Sequence, residues 1–301
     1  QDHGWGERAD AFRSHAIDLL DTAARQAAER AGIELDEIDA LITVSTTGFA
    51  IPSMDALLIN RLALRRDTMR MPVFGWGCAG GALGLSRAAT LARGMPGKTV
   101  MLLVVELCSV NFRSGDRSAT NFVSTALFGD GAAAVVVRNE QEAANGCGNG
   151  SGEKSGNRHR ATVQQITEWT WENTENVMGF GIEDDGLRII LRPDVPHFTY
   201  KNLRPQVDKF LDDEGLGLDD IDGYICHPGG RKVLEAIAAS LELPAEKLDT
   251  SRDVLNDYGN MSAPTVLFVL DRTLANGSSG RYLMTAFGPG FSLALLLLDL
   301  P

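Results

Sequence analysis

Cysteine is scarce in this chain of 301 residues: there are four, at 78, 108, 147 and 226, with no Cys-x-x-Cys pair and no histidine at zinc-finger spacing. That excludes a disulfide framework and a structural metal as organising devices, and it fits a reducing, cytoplasmic setting. No apolar run reaches about 18 residues, and the opening Gln1-Asp-His-Gly-Trp-Gly-Glu-Arg is polar. Neither a membrane span nor a signal peptide is expected. Positive charge is short as well, since 28 Lys and Arg stand against 40 Asp and Glu, giving a formal net charge of −12 with no basic stripe to offset it. Nonspecific nucleic-acid binding is thereby disfavoured. A hydrophobic share of 44% at this length supports a large core, divided at most into two domain-like halves.

What the chain does have is a thiol in an unusual setting. Cys78 lies in Pro72-Val-Phe-Gly-Trp-Gly-Cys78-Ala-Gly-Gly-Ala-Leu-Gly-Leu, a short apolar strand, a glycine-rich turn and then a helix. A helix N-terminus favours an anion, and a thiolate is the nucleophilic form of cysteine. Taken alone, Cys78 reads first as a small packed residue. Two later segments bear on the choice. Gly223-Tyr-Ile-Cys-His227-Pro-Gly-Gly-Arg-Lys ends a strand on a histidine, and Asp257-Tyr-Gly-Asn260-Met-Ser-Ala-Pro sets an asparagine before an apolar helix. His227 alone admits a structural reading and Asn260 alone a helix cap. Together the three supply a nucleophile, a base and an orienting amide.

An internal repeat links them. Gly32-Ile-Glu-Leu-Asp-Glu-Ile-Asp-Ala-Leu-Ile-Thr aligns with Gly215-Leu-Gly-Leu-Asp-Asp-Ile-Asp-Gly-Tyr-Ile-Cys at an offset of 183 (215 minus 32), and Cys78 and Asn260 differ by 182 (260 minus 78). Each copy follows a helical stretch, the first with Phe12, Ala16, Leu20, Ala23 and Ala27 on one face, and each leads into a strand. The repeat predicts two related α/β halves about a pseudo-twofold axis, with Cys78 and Asn260 facing one cleft that His227 enters from the second half. The halves are expected over 1–138 and 161–301, joined by a Gly/Asn/Ser-rich flexible linker at 139–160 in which Cys147 is exposed and noncatalytic. The terminal Leu293–Leu300 run is expected to be a buried strand.

The segments Gly77-Cys78-Ala-Gly-Gly, Val105-Glu106-Leu-Cys-Ser, Ala126-Leu-Phe128-Gly-Asp-Gly, Asp194-Val-Pro, His227-Pro-Gly-Gly, Tyr258-Gly-Asn260-Met-Ser and Phe287-Gly-Pro-Gly, in this order, resemble the type III polyketide synthases, the chalcone-synthase-like branch of the thiolase fold. Ketoacyl synthase III, a sister family, shares Cys, His and Asn, but not the His-Pro-Gly-Gly and Phe-Gly-Pro-Gly strings. The resemblance implies an α/β, thiolase-like layered fold and a homodimer. It implies malonyl-CoA and an acyl-CoA starter as substrates, and no cofactor or metal.

By the same resemblance Cys78, His227 and Asn260 are catalytic. A His227 imidazolium and the helix dipole would hold the thiol ionised, and His227 and Asn260 would donate to the malonyl-derived enolate. Phe128 matches the gate aromatic that favours decarboxylation, although without the family it reads as a core aromatic. Thr46, Ile51, Cys108, Asn111, Phe180, Leu187, Ile189 and Ser262 would shape the cavity, with Ile51 reaching into the neighbouring subunit's pocket. Cys108, Asn111, Phe180 and Ile189 depart from the residues common in plant members, so a remodelled pocket is expected, and Cys108 also reads as mere packing. Gly229, Gly230 and Arg231 are the implied CoA contacts. Arg61, Arg65, Arg66 and Arg70, with Arg231 and Lys232, otherwise read as solvated helix faces. Family members carry a further N-terminal segment before the first helix, so a fragment of a longer product is expected. A thiolase-fold protein that binds acyl-CoA without turnover is the alternative of a different class.

Overall fold

The computed structural model describes residues 4–139, 160–184 and 186–301. Of the expected linker only its two ends fall among these, and Cys147 lies outside them. Chain order begins with helix α1 (Trp5–Ala31), strand β1 (Ile38–Ser45), α2 (Met54–Arg61), β2 (Met69–Phe74), α3 (Gly80–Gly94), β3 (Thr99–Leu107), α4 (Ala119–Leu127) and β4 (Asp130–Arg138). It continues through β5 (Thr162–Thr170), β6 (Met178–Glu183), β7 (Gly186–Leu191), α5 (Val195–Asp212), β8 (Gly223–Cys226), α6 (Arg231–Ser240), α7 (Asp249–Tyr258), α8 (Pro264–Ala275), β9 (Gly280–Gly288) and β10 (Ser292–Leu300).

Two sheets result, in the orders β2-β1-β3-β4 and β5-β10-β9-β8, and a separate hairpin pairs β6 with β7. In the first, β1 and β3 are parallel and β4 runs against β3; in the second, β8 and β9 are parallel and β10 runs against β9. The repeat seen in the sequence is therefore a repeat of topology. It extends to detail: both copies turn through one short 3-10 segment, and the Glu37 carboxylate accepts from Glu34 N at 2.7 Å just as that of Asp220 accepts from Gly217 N at 2.8 Å.

Side-chain alternation along the strands builds the layers. Val100, Leu102 and Val104 of β3 face a central core with α3 and α8, while Met101, Leu103 and Val105 face an outer core with α1 residues Phe12, Ala16 and Leu20. Likewise Ala294, Leu296 and Leu298 of β10 face the centre, and Leu293, Leu295 and Leu297 face α5 and α6. Because both faces are covered, these strands read as continuous apolar runs rather than alternating ones. The terminal Leu-rich run is thus the buried strand that was expected, β10. The order of layers is helix, sheet, paired helices, sheet, helix, and the start of α3 lies at the seam between the halves.

Candidate active site

Cys78 sits in a 3-10 turn, Gly77–Ala79, that runs directly into α3, and it is buried. The turn is locked from both sides. Gly77 has φ 48, its N–H donates to Thr46 Oγ1 at 2.9 Å, and a Cβ placed there would lie 2.7 Å from Pro289. Only glycine combines that left-handed backbone with that lack of bulk. From the other half, a Cβ on Gly288 would meet Trp76 O at 2.6 Å. The Gly-Cys and Phe-Gly-Pro-Gly strings, far apart in sequence, are two sides of one close contact behind the thiol.

Asn260 is 1% exposed, and its backbone bonds to the end of α4 on the first half: Asn260 N donates to Leu127 O at 2.9 Å and Gly129 N donates to Asn260 O at 3.0 Å, on either side of Phe128. Its side chain is oriented by Ser262 N, which donates to Oδ1 at 2.8 Å. That leaves the amide Nδ2, which donates to Gly229 O at 3.3 Å and lies 4.0 Å from Cys78 Sγ. Asn260 is therefore no cap of α8, which begins at Pro264. His227 follows β8, with its N–H donating to Thr285 O of β9 at 2.8 Å; the ring is buried, and neither nitrogen has a hydrogen-bond partner.

Burial pushes the Cys78 thiol up to about 11, against smaller opposing effects of Ser262 and Asn260 and a further upward push from Glu106. Burial alone drives His227 down to about 3. Both shifts run against the expected imidazolium and thiolate and favour the neutral thiol and imidazole, because a helix N-terminus is visible in a sequence and desolvation is not.

The other expected residues divide. Thr46, Ser262 and Cys108 belong with Cys78: Thr46 holds Gly77, Ser262 touches the thiol, and the Cys108 thiol, raised by burial first, also feels Glu106 and Cys78. Asn111 donates to Thr47 O at 2.8 Å. Phe180 and Ile189 pair across the β6–β7 hairpin, Leu187 is buried there, and β7 packs on α4 and on the turn Cys108–Asn111. Phe128 is half-buried at the end of α4. Ile51, by contrast, is 95% exposed and reaches no pocket of its own chain.

Gly229 and Gly230 precede α6, where Arg231 is solvated and paired with Glu235. The arginines of the run are solvated but do not share one helix face: Arg61 closes α2 and pairs with Asp18, Arg65 pairs with Asp39 in the next turn, Arg66 donates to Asn60, and Arg70 on β2 pairs with Asp55.

Sequence reasoning assigned no role to Glu106. It is fully buried at the end of β3, and Oε2 accepts from Thr46 N (2.9 Å), Thr47 N (2.9 Å), Thr47 Oγ1 (2.7 Å) and Ser45 Oγ (3.3 Å), while Oε1 has no partner. A carboxylate inside the apolar run Val100–Leu107 was the available signal. Among the described residues no group of His, Cys, Asp or Glu side chains stands together as a metal site, and no helix is long and apolar enough to cross a membrane.

Residues 4–141 match the family model for the N-terminal domain of chalcone and stilbene synthases, and residues 161–300 match that for the C-terminal domain. A 1,3,6,8-tetrahydroxynaphthalene synthase of Streptomyces peucetius subsp. caesius is 38% identical over 98% of this chain and 76% of its own length. The crystal structure of the tetrahydroxynaphthalene synthase of Streptomyces coelicolor A3(2), a bacterial type III polyketide synthase, superposes with a TM-score of 0.90 at 26% identity, covering 100% of this chain and 82% of that one. A structure of CsyB complexed with CoA-SH gives 0.88 at 26% identity, covering 100% and 83%.

Proposed function

Since this chain belongs to the chalcone and stilbene synthase family, we propose that it is a type III polyketide synthase extending an acyl-CoA starter with malonyl-CoA on a Cys78 thioester. The observation that carries the reading is the Asn260 amide, which the Ser262 N–H turns so that its NH₂ faces the Cys78 sulfur. In the loading step the Cys78 sulfur attacks the starter thioester carbon, its proton passes to the His227 imidazole, and CoA departs as the thiol after taking that proton. Charging both partners only during attack lets their mutual attraction offset part of the cost of burial.

Malonyl-CoA then loses carbon dioxide, and the electron pair of the broken bond becomes an enolate. A neutral His227 with a proton on its inward nitrogen and the Asn260 NH₂ are donors for that oxyanion. The enolate carbon attacks the Cys78 thioester, the sulfur leaves, and the chain is longer by two carbons. Every step is assigned to side chains and CoA thioesters. Phe128 serves as the gate whose apolar ring disfavours the malonyl carboxylate. Gly229, Gly230 and Arg231, at the start of α6, are assigned to the CoA arm, and CsyB, a structural neighbour, has been solved with CoA-SH. Products are of the pyrone, resorcinol or naphthalene type, and the enzyme works in the reducing cytoplasm.

Incubation with radiolabelled malonyl-CoA and a panel of acyl-CoA starters tests the proposal. Cyclised products that vanish in Cys78→Ala support it. Binding without release of carbon dioxide would make the protein a passive acyl-CoA binder, and preference for acyl-carrier-protein substrates would make it a ketoacyl synthase III-like enzyme.

A further inference from the structure

Glu106 is the buried charge that the proposed chemistry leaves unused. Its two oxygens differ sharply. Oε2 gathers four donors from three consecutive residues, Ser45, Thr46 and Thr47, and the next link is direct, because Thr46 Oγ1 accepts from Gly77 N at 2.9 Å, one residue before the thiol. Thr47 Oγ1 in turn accepts from Leu107 N at 2.8 Å, which ties the turn back to the strand that carries Glu106. Oε1 is sealed from solvent with no partner. An ionised carboxylate would leave half its charge on that bare oxygen, whereas a proton on Oε1 removes the charge and leaves Oε2 free to accept.

We propose that Glu106 is a positioning residue for Cys78: through Oε2 it fixes the Ser45–Thr47 turn that holds the nucleophile's backbone, and through a proton on Oε1 it keeps the pocket free of negative charge next to the thiol. The proposal rests on the reading of Cys78 as the nucleophile. The titratable groups it faces are Cys78, from the turn before α3, and Cys108, from the turn after β3; both thiols are made harder to ionise by a Glu106 charge. Burial, opposed by the threonine and serine hydrogen bonds, raises the carboxyl from 4.5 to about 7, so its proton is lost near neutrality. Above that pH the new negative charge opposes the thiolate that forms in the same pocket.

The test is the pH profile of Cys78 alkylation by iodoacetamide, followed by mass spectrometry of the Cys78 peptide in the intact protein. In the wild type the logarithm of the rate is expected to climb with less than unit slope through neutrality. Glu106→Gln keeps an acceptor oxygen but never ionises. It is expected to show unit slope and, at about pH 8, a rate on the order of threefold to tenfold faster, the effect of about half to one pKa unit.

Thr47→Val removes one donor to Oε2 and is expected to move the wild-type inflection to higher pH, which tests the idea even if the glutamine variant does not fold. Superimposable profiles for wild type and a folded Glu106→Gln, or an unmoved inflection in Thr47→Val, overturn the proposal. Failure of the parent reading is told apart by acyl loading: a wild-type Cys78 that takes no acyl group from labelled acyl-CoA refutes the nucleophile itself, whereas normal loading with unchanged profiles refutes only the role of Glu106.

Discussion

Two backbone hydrogen bonds, to Leu127 and from Gly129, hold Asn260 independently of its side chain, so its truncation removes a donor while the backbone stays anchored. Asn260→Ala is expected to slow malonyl-CoA decarboxylation by about 10²–10³-fold, the typical cost of one oxyanion donor, with a smaller effect on starter loading. Single-turnover assays of the two half-reactions measure the difference, and equal losses would remove the oxyanion role. His227 gives a separate prediction in stability. The unfolded chain binds its proton near 6.5 and the folded one only near 3, so the contribution is present above 6.5 and is lost as pH falls through that window. Glu106 has the opposite sign between 4.5 and 7, where the folded state holds the extra proton. The two effects oppose each other until Glu106 is protonated in both states. Below about 4.5, wild type should lose up to about 1.4 kcal/mol per pH unit more than His227→Gln, read from urea midpoints.

At the scale of elements, α3 and α8 meet through glycine. A Cβ on Gly81 would lie 2.2 Å from Ala263 O, whereas one on Gly94, at the other end of the same helix, meets nothing within 4 Å. Gly81→Ala is expected to lower the unfolding free energy, read from denaturant titration, by about 1–3 kcal/mol and to reduce activity, since it presses on the segment that carries Asn260 and Ser262. Gly94→Ala should be neutral or stabilising by under about 1 kcal/mol. Much at this scale was legible beforehand: the 183-residue offset yielded the matching strands, and the corresponding strand-to-helix turns pointed to Cys78 and Asn260, which the fold sets 4.0 Å apart. Glu106 escaped because its meaning comes from donors some 60 residues upstream. The upward push on the Cys78 thiol escaped because desolvation is a property of packing, and the ion pairs of Arg61, Arg65 and Arg70 escaped because their aspartate partners lie on α1, on β1 and at the start of α2.

Across the whole molecule, the surface around Ile51 is the part that bears on the expected homodimer. Ile51 is 95% exposed, and Phe49 and Phe74, whose rings stack at 4.6 Å, are 39% and 51% exposed, with Phe74 closing the edge strand β2. Exposed large apolar side chains of this kind make a candidate association site. Light scattering is expected to give about twice the 32.4 kDa of one chain, and Ile51→Lys to shift the mass toward one; a single-chain mass for the wild type at micromolar concentration would rule out the homodimer. The seam between the halves has its own corollary. Leu127 and Gly129 grip the Asn260 backbone from either side of residue 128 without using its side chain. The ring at 128 can consequently be exchanged for a smaller or larger one while the amide keeps its anchorage, so in the proposed reaction the gate and the oxyanion donor can be varied independently.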